Sequence, residues 1–254
     1  MVAAATNEAR EKETMALKMK TLREAIESRR PKIALYGESG TGKTTQIMAI
    51  WALLGDDERM LIVTAEHGLR SLRQACPDMM DDPRVLVGEV GTIGDVKEAV
   101  AMASNPANAI AWCVVDSVSN IADRELRARM EVAGDPRQAY GGMMSATLDI
   151  LWKLVDVAAL GVLFIFQEVR NEVNEGSAKK PEPVNFYGPS VPSKGLQQAM
   201  PYVFDGVLRL EMKENGDRQI RTAKTRTIMA KDRTGRLEPF EPCDLGAIIA
   251  KILD

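Results

Sequence analysis

Apolar residues fall into short unbroken runs separated by stretches where they recur at helical spacing. Residues 32–36, 60–65, 85–87, 109–115 and 161–166 are such runs. Runs of this kind, bounded by turn-forming residues, mark strands covered on both faces. Residues 95–104, 118–130 and 142–160 have the pattern of helices, and a further helix is expected from the phosphate loop to about residue 54. Strands alternating with helices predict an α/β fold: a mostly parallel sheet with helices on both faces. Beyond it, residues 204–212, a turn at Asn215-Gly216 and residues 219–230 predict a C-terminal β-hairpin extension. A last amphipathic helix is expected over 245–253.

Two stretches break this rhythm. Residues 1–30 form an N-terminal helical segment in which Met15, Met19, Leu22 and Ile26 make one narrow apolar stripe. Such a stripe suits a helix lying on its own domain or one docking on a neighbouring subunit. Residues 171–196 carry four prolines and three glycines, which predicts a long mobile loop over 170–196 within a single domain at 31–254.

Composition narrows the class. The net charge of -3 excludes a uniformly basic nucleic-acid binder, although residues 213–236 hold eight basic and three acidic residues. Lys213, Arg218, Arg221, Lys224, Arg226 and Arg236 read as the solvated face of the hairpin. No run is long enough to span a bilayer, and the start, MVAAATNEAREKE, lacks the pattern of a secretory leader. Three scattered cysteines and one histidine, His67, provide neither a disulfide framework nor a zinc-ligand set. The expectation is a reduced, cytoplasmic protein without membrane association.

The chemistry enters at residues 37–44. Gly37, Glu38, Ser39, Gly40, Thr41, Gly42, Lys43 and Thr44 fit G-x-x-x-x-G-K-[ST] between a strand and a helix. The glycines let backbone N–H groups turn toward phosphates, and the helix opens with its positive dipole end there. Lys43 is expected to neutralise β/γ-phosphate charge, Thr44 to ligate Mg²⁺ and Thr45 to complete the ATP-binding loop. Asp116 ends a buried strand at the sheet edge where α/β sites form, and is the second expected magnesium residue. Glu66 and Gln167 end two further strands. A carboxylate at Glu66 is able to polarise an attacking water, and the Gln167 amide to sense the γ-phosphate.

With these residues in order, the chain resembles the RecA-like ATPases. TAEHGL at 64–69, VVDS at 114–117 and LFIFQEVR at 163–170 are similar to the segments bearing that family's catalytic glutamate, magnesium-site aspartate and switch glutamine. Lys231-Asp232-Arg233 resembles its K-x-[KR] element. The resemblance spans about residues 32–236, and the compact size is closest to the phage-encoded, core-only proteins of the Sak annealing group. It implies ATP hydrolysis with Mg²⁺, Glu66 as the base, Gln167 as the phosphate sensor, and Lys231 and Arg233 acting in a neighbour's site within a ring or filament.

The family also implies single-stranded DNA as a partner, held by two loops. The first corresponds to residues 131–142. The second is residues 170–196, where Arg170, Lys179, Lys180 and Lys194 supply charge and Phe186 and Tyr187 supply stacking surfaces. Two further readings stand beside recombination or strand annealing. One is a ring helicase or packaging motor on the same core. The other is a non-catalytic module in which ATP drives assembly. A kinase is disfavoured because nothing resembles an acceptor-binding lid.

Overall fold

The computed structural model describes residues 19–66, 68–174 and 183–254. Its centre is a parallel sheet built from the apolar runs. Strands β1 (Lys32–Gly37), β2 (Arg59–Thr64), β3 (Val85–Glu89), β4 (Ile110–Asp116) and β5 (Gly161–Asn174) are joined by β7 (Gly206–Met212). Across the sheet the order is β3-β2-β4-β5-β1-β7, all parallel. Antiparallel β8 (Arg218–Arg221) and β10 (Phe240–Pro242) extend it beyond β7, and β9 (Lys231–Asp232) pairs with the start of β7. The fold is therefore the expected α/β sheet, mostly parallel, with antiparallel strands at its C-terminal edge.

Alternation along each strand divides the core in two. Ala34, Tyr36, Val115, Phe164 and Phe166 face helices α4 (Ile93–Ser104), α5 (Val118–Val132), α6 (Pro136–Asp156) and α7 (Lys194–Val203). Ile33, Leu35, Val114, Ile165 and Leu208 face α2 (Ile47–Trp51), α3 (Arg70–Ala75) and α8 (Leu245–Leu253). One glycine is forced by this packing: a Cβ on Gly161 would lie 2.4 Å from the Trp112 ring. Among the described residues no helix is long and apolar enough to cross a membrane.

Several elements differ from expectation. The helix after the phosphate loop begins as a 3-10 turn, Thr44–Gln46, and is helical only to Trp51, short of residue 54. β8 is only four residues long, so the expected strand over 219–230 is mostly irregular. Among the described residues of the N-terminal segment lies a short helix, α1 (Leu22–Glu27), fixed by a capping box of Thr21 and Glu24. Its Met19, Leu22 and Ile26 are exposed, and Met15 lies outside the described residues.

The two proposed DNA loops change most. Of residues 131–142 only 133–135 lie between helices. Asp135 caps α6 and Pro136 opens it, a position where proline's missing N–H is harmless. Gly142 lies against Arg129 of α5, where a Cβ would fall 2.2 Å from the guanidinium. Among the described residues of 170–196, most belong to regular elements. β5 continues to Asn174 and pairs antiparallel with β6 (Pro183–Pro189), and α7 begins at Lys194. Two of the four prolines, Pro183 and Pro189, sit at the two ends of β6, where strands tolerate them.

Candidate nucleotide site at the carboxyl edge of the sheet

β5 lies between the phosphate-loop strand β1 and the Asp116 strand β4. Gly37, Thr64, Asp116 and Gln167 therefore end up along one edge, above which opens a cleft of about 590 Å³. Gly37 cannot carry a side chain, because a Cβ would meet the Leu210 carbonyl oxygen at 2.3 Å. Gly40 and Gly42 turn the loop at φ 79° and 98°, values that favour glycine. Within the loop the Thr41 hydroxyl donates to the Glu38 carbonyl at 2.9 Å, and Thr45 donates to Gly42 at 2.7 Å. Ser39 lines the cleft.

Lys43 donates to the Gly37 and Glu38 carbonyls, at 2.8 and 2.7 Å. Burial holds its pKa below the ordinary lysine value, although the nearby Asp116 and Glu66 oppose this. The ammonium is thus poised to exchange carbonyls for phosphate oxygens. Thr44 donates its hydroxyl to the Asp116 carboxylate at 2.9 Å. Burial pushes Asp116 up to about 6, opposed by the Thr44 hydrogen bond and aided by the Glu66 charge. A hydroxyl and a carboxylate in contact are the hard oxygen donors that Mg²⁺ takes together with phosphate oxygens. The residues therefore fit a magnesium nucleotide. Among the described residues no cluster of three or more His, Cys, Asp or Glu offers an all-protein metal site.

On the far side of the cleft Glu66 is fixed by two donors. Ser117 hydrogen bonds to its carboxylate, and the Gln167 amide donates to the same oxygen at 3.3 Å. The Gln167 amide also reaches Asn120 at 3.1 Å. The loop that carries Glu66 is held in turn by Arg124, which donates to the Ala65 and Val90 carbonyls at 2.6 and 2.9 Å. Such a carboxylate is able to orient and polarise water beside a phosphate bound on the loop, and the amide couples it to β5.

Lys231 and Arg233 lie at the opposite edge. The Arg233 N–H bonds to Asp205, whose own N–H bonds to Lys32 at the start of β1. Gly37 is five residues further along that strand, about 16 Å away at ordinary strand rise. Neither cation reaches the phosphate loop of its own chain. Lys231 donates to the Pro201 and Phe204 carbonyls at the end of α7. Arg233 pairs with Asp205 at 3.0 Å and is 53% exposed.

Of the proposed DNA-contacting residues, Lys179 and Lys180 lie outside the described residues. Arg170 is paired opposite Tyr187 in the β5–β6 ribbon, beside Phe186, and Lys194 opens α7. One face of the Tyr187 ring is taken by the Arg209 guanidinium, 4.7 Å from its centroid. Three features of the cleft were not foreseen: the Ser117–Asn120 support of Glu66 and Gln167, the Glu168–Arg209 ion pair in its wall, and Arg218 above Gly42. Only the helix-capping position of Ser117 was readable from sequence.

No curated protein sequence matches the chain. The family model described as an AAA domain, AAA_24, matches residues 29–234. That span holds the loop, Asp116, Glu66, Gln167 and the Lys231/Arg233 pair, so the chain belongs to the AAA_24 family of P-loop ATPase domains.

Proposed function

We propose that the protein is a magnesium-dependent ATPase of RecA-like type that acts, as an oligomer, on single-stranded DNA in recombination or strand annealing. The observation that carries this reading is the position of Gln167. Its amide touches Glu66, and its backbone carbonyl accepts from the Ser190 N–H at 2.7 Å, at the base of the β5–β6 ribbon where β6 ends. The Gln167 N–H donates to Ser119 at 3.0 Å, and Ser119 donates to the Ser190 carbonyl at 2.6 Å. Gain or loss of a γ-phosphate beside Glu66 therefore acts on both strands at the base of the ribbon, which carries Arg170 on one face and Phe186 on the other for contact with the DNA strand. In the oligomer, Arg233 reaches a neighbour's phosphates, and Lys231 joins it after leaving its two carbonyl partners.

The test is ATP turnover with and without single-stranded DNA, with DNA binding followed across salt concentration. Stimulated turnover and a steep loss of affinity with salt are expected. No binding of single-stranded DNA by the ATP-bound protein at low salt overturns the DNA reading while leaving the ATPase assignment untouched.

A further inference from the structure

The arginine that leans over the phosphate loop has no role in the site as described so far. β8 alternates, so Arg218 and Ile220 share one face, while Gln219 and Arg221 share the other. Ile220 is buried among Leu35, Leu208 and Leu210, which commits the Arg218 side to the face carrying the loop and α2. On the opposite face Arg209 and Arg221 both pair with Glu211, and Gln219 bonds to it as well. The Glu211 carboxylate of the hairpin is thereby consumed, and Arg218 makes no ion pair among the described residues. Its guanidinium comes so close to the loop that a Cβ on Gly42 would lie 2.7 Å from Nη1.

Arg218 also marks a boundary. A second cavity of about 850 Å³ runs from α2 toward β10, and it shares only Thr45 and Arg218 with the phosphate cleft. Glu66 and Gln167, which sense a terminal phosphate, line the first cavity alone. A nucleotide longer than its terminal phosphate must continue past Thr45, and Arg218 stands beside that passage.

We infer that Arg218 holds the α/β-diphosphate of the bound nucleotide from within the same chain, with the nucleoside in the second cavity. This inference rests on the nucleotide-binding reading of the loop. The chemistry it requires is a planar guanidinium donating to phosphate oxygens opposite the loop N–H groups. A contact to the α/β-diphosphate is made equally to ADP and ATP, and equally before and during turnover. It is therefore uniform binding energy and appears in affinity rather than in kcat.

The test is calorimetric titration of Arg218→Ala with Mg-ADP and Mg-ATP, alongside steady-state turnover. Both dissociation constants are expected to rise about tenfold, and KM with them, while kcat at saturation changes less than twofold. Arg218→Lys should recover part of the loss, and exposed Arg236→Ala, elsewhere on the surface, none. Unchanged affinity for both nucleotides overturns the inference. So does a fall in kcat with unchanged ADP affinity, which assigns Arg218 to the γ-phosphate or to a neighbouring subunit. If the unaltered protein binds neither nucleotide, the nucleotide reading itself fails, an outcome distinct from both.

Discussion

Replacing Arg209 by Met should destabilise the protein by about 3–4 kcal/mol, for a reason readable from its surroundings. Arg209 donates to Glu168 through Nε at 2.7 Å and Nη2 at 3.0 Å. A third bond goes to Glu211, and the guanidinium also covers the Tyr187 ring. The side chains are 13% exposed for Arg209 and 4% for Glu168, so water does not replace what is lost. Glu211 keeps Arg221 and Gln219, so its contribution is small. Glu168 makes no other ion pair among the described residues, and Lys43 acts on it only at longer range. An unpaired buried carboxylate costs about 3–5 kcal/mol, and the unbranched Met retains part of the packing. Urea unfolding followed by far-ultraviolet circular dichroism measures the loss. Converting both residues to Met should recover most of it, giving a coupling energy of about 2 kcal/mol or more. The wild-type advantage should also change little with salt, because the pair is buried. A single-variant loss below about 1 kcal/mol, or a double variant as unstable as the sum of the singles, refutes the argument.

Lys43→Ala should remove nucleotide binding, because no other described ammonium lies within the loop; wild-type turnover in this variant refutes the phosphate assignment. Glu66→Gln should retain Mg-ATP binding and lose about 10²–10⁴-fold in kcat. Arg233→Ala should bind nucleotide and hydrolyse poorly. Mixing it with Glu66→Gln should restore measurable turnover, and no gain at any mixing ratio counts against action between subunits. Lys32 is 1% exposed, and burial pulls its ammonium down to about 8 while it donates to the Val157 and Leu160 carbonyls. The unfolded chain then holds more protons between pH 8 and about 10.5, so stability rises with pH across that window and the gain is lost as pH falls through 8. The contribution is at most about 3 kcal/mol. Comparing chemical unfolding of wild type and Lys32→Met against pH isolates it, and parallel profiles refute it.

Much of the architecture was legible because parallel strands are buried on both faces. Their residues are apolar at every position, and 110–115 and 161–166 stand out without any knowledge of their partners. The polar residue closing each run then named an edge of the sheet, which is how Asp116 and Gln167 became site candidates. The same rule hid the rest of β5. Beyond Gln167 the strand leaves the covered sheet and pairs only with β6, so its polar residues carry no burial signal. The turn between α5 and α6 was overread for the opposite reason. Its Gly and Pro residues are turn-formers in isolation, but Asp135 and Pro136 start a helix and Gly142 makes room for Arg129. Glu168 and Arg209 are 41 residues apart in sequence, and only the insertion of β1 between β5 and β7 brings their strands into one sheet.

Arg218 shows how small the missing information was. The hydrophobic pattern predicts a strand starting at residue 219, which leaves Arg218 in the turn as one more solvated cation. The strand begins one residue earlier, with Arg218 opposite Met212 and Ile220 opposite Leu210. Because side chains alternate with a period of two, that register fixes which face each residue takes. It sends Ile220 into the core and Arg218 to the same side, over Gly42. The floor of the cleft comes from parallel strand ends that announce themselves in sequence. Its roof comes from a hairpin whose contribution depends on register, set by the turn at Asn215 and Gly216, where Gly216 has φ 86°. Lengthening that turn by one residue should therefore displace Arg218 from the loop while leaving Lys43, Asp116 and Glu66 in place. Nucleotide affinity should fall as it does in Arg218→Ala, with kcat at saturation retained. Unchanged affinity in the lengthened hairpin refutes the dependence on register.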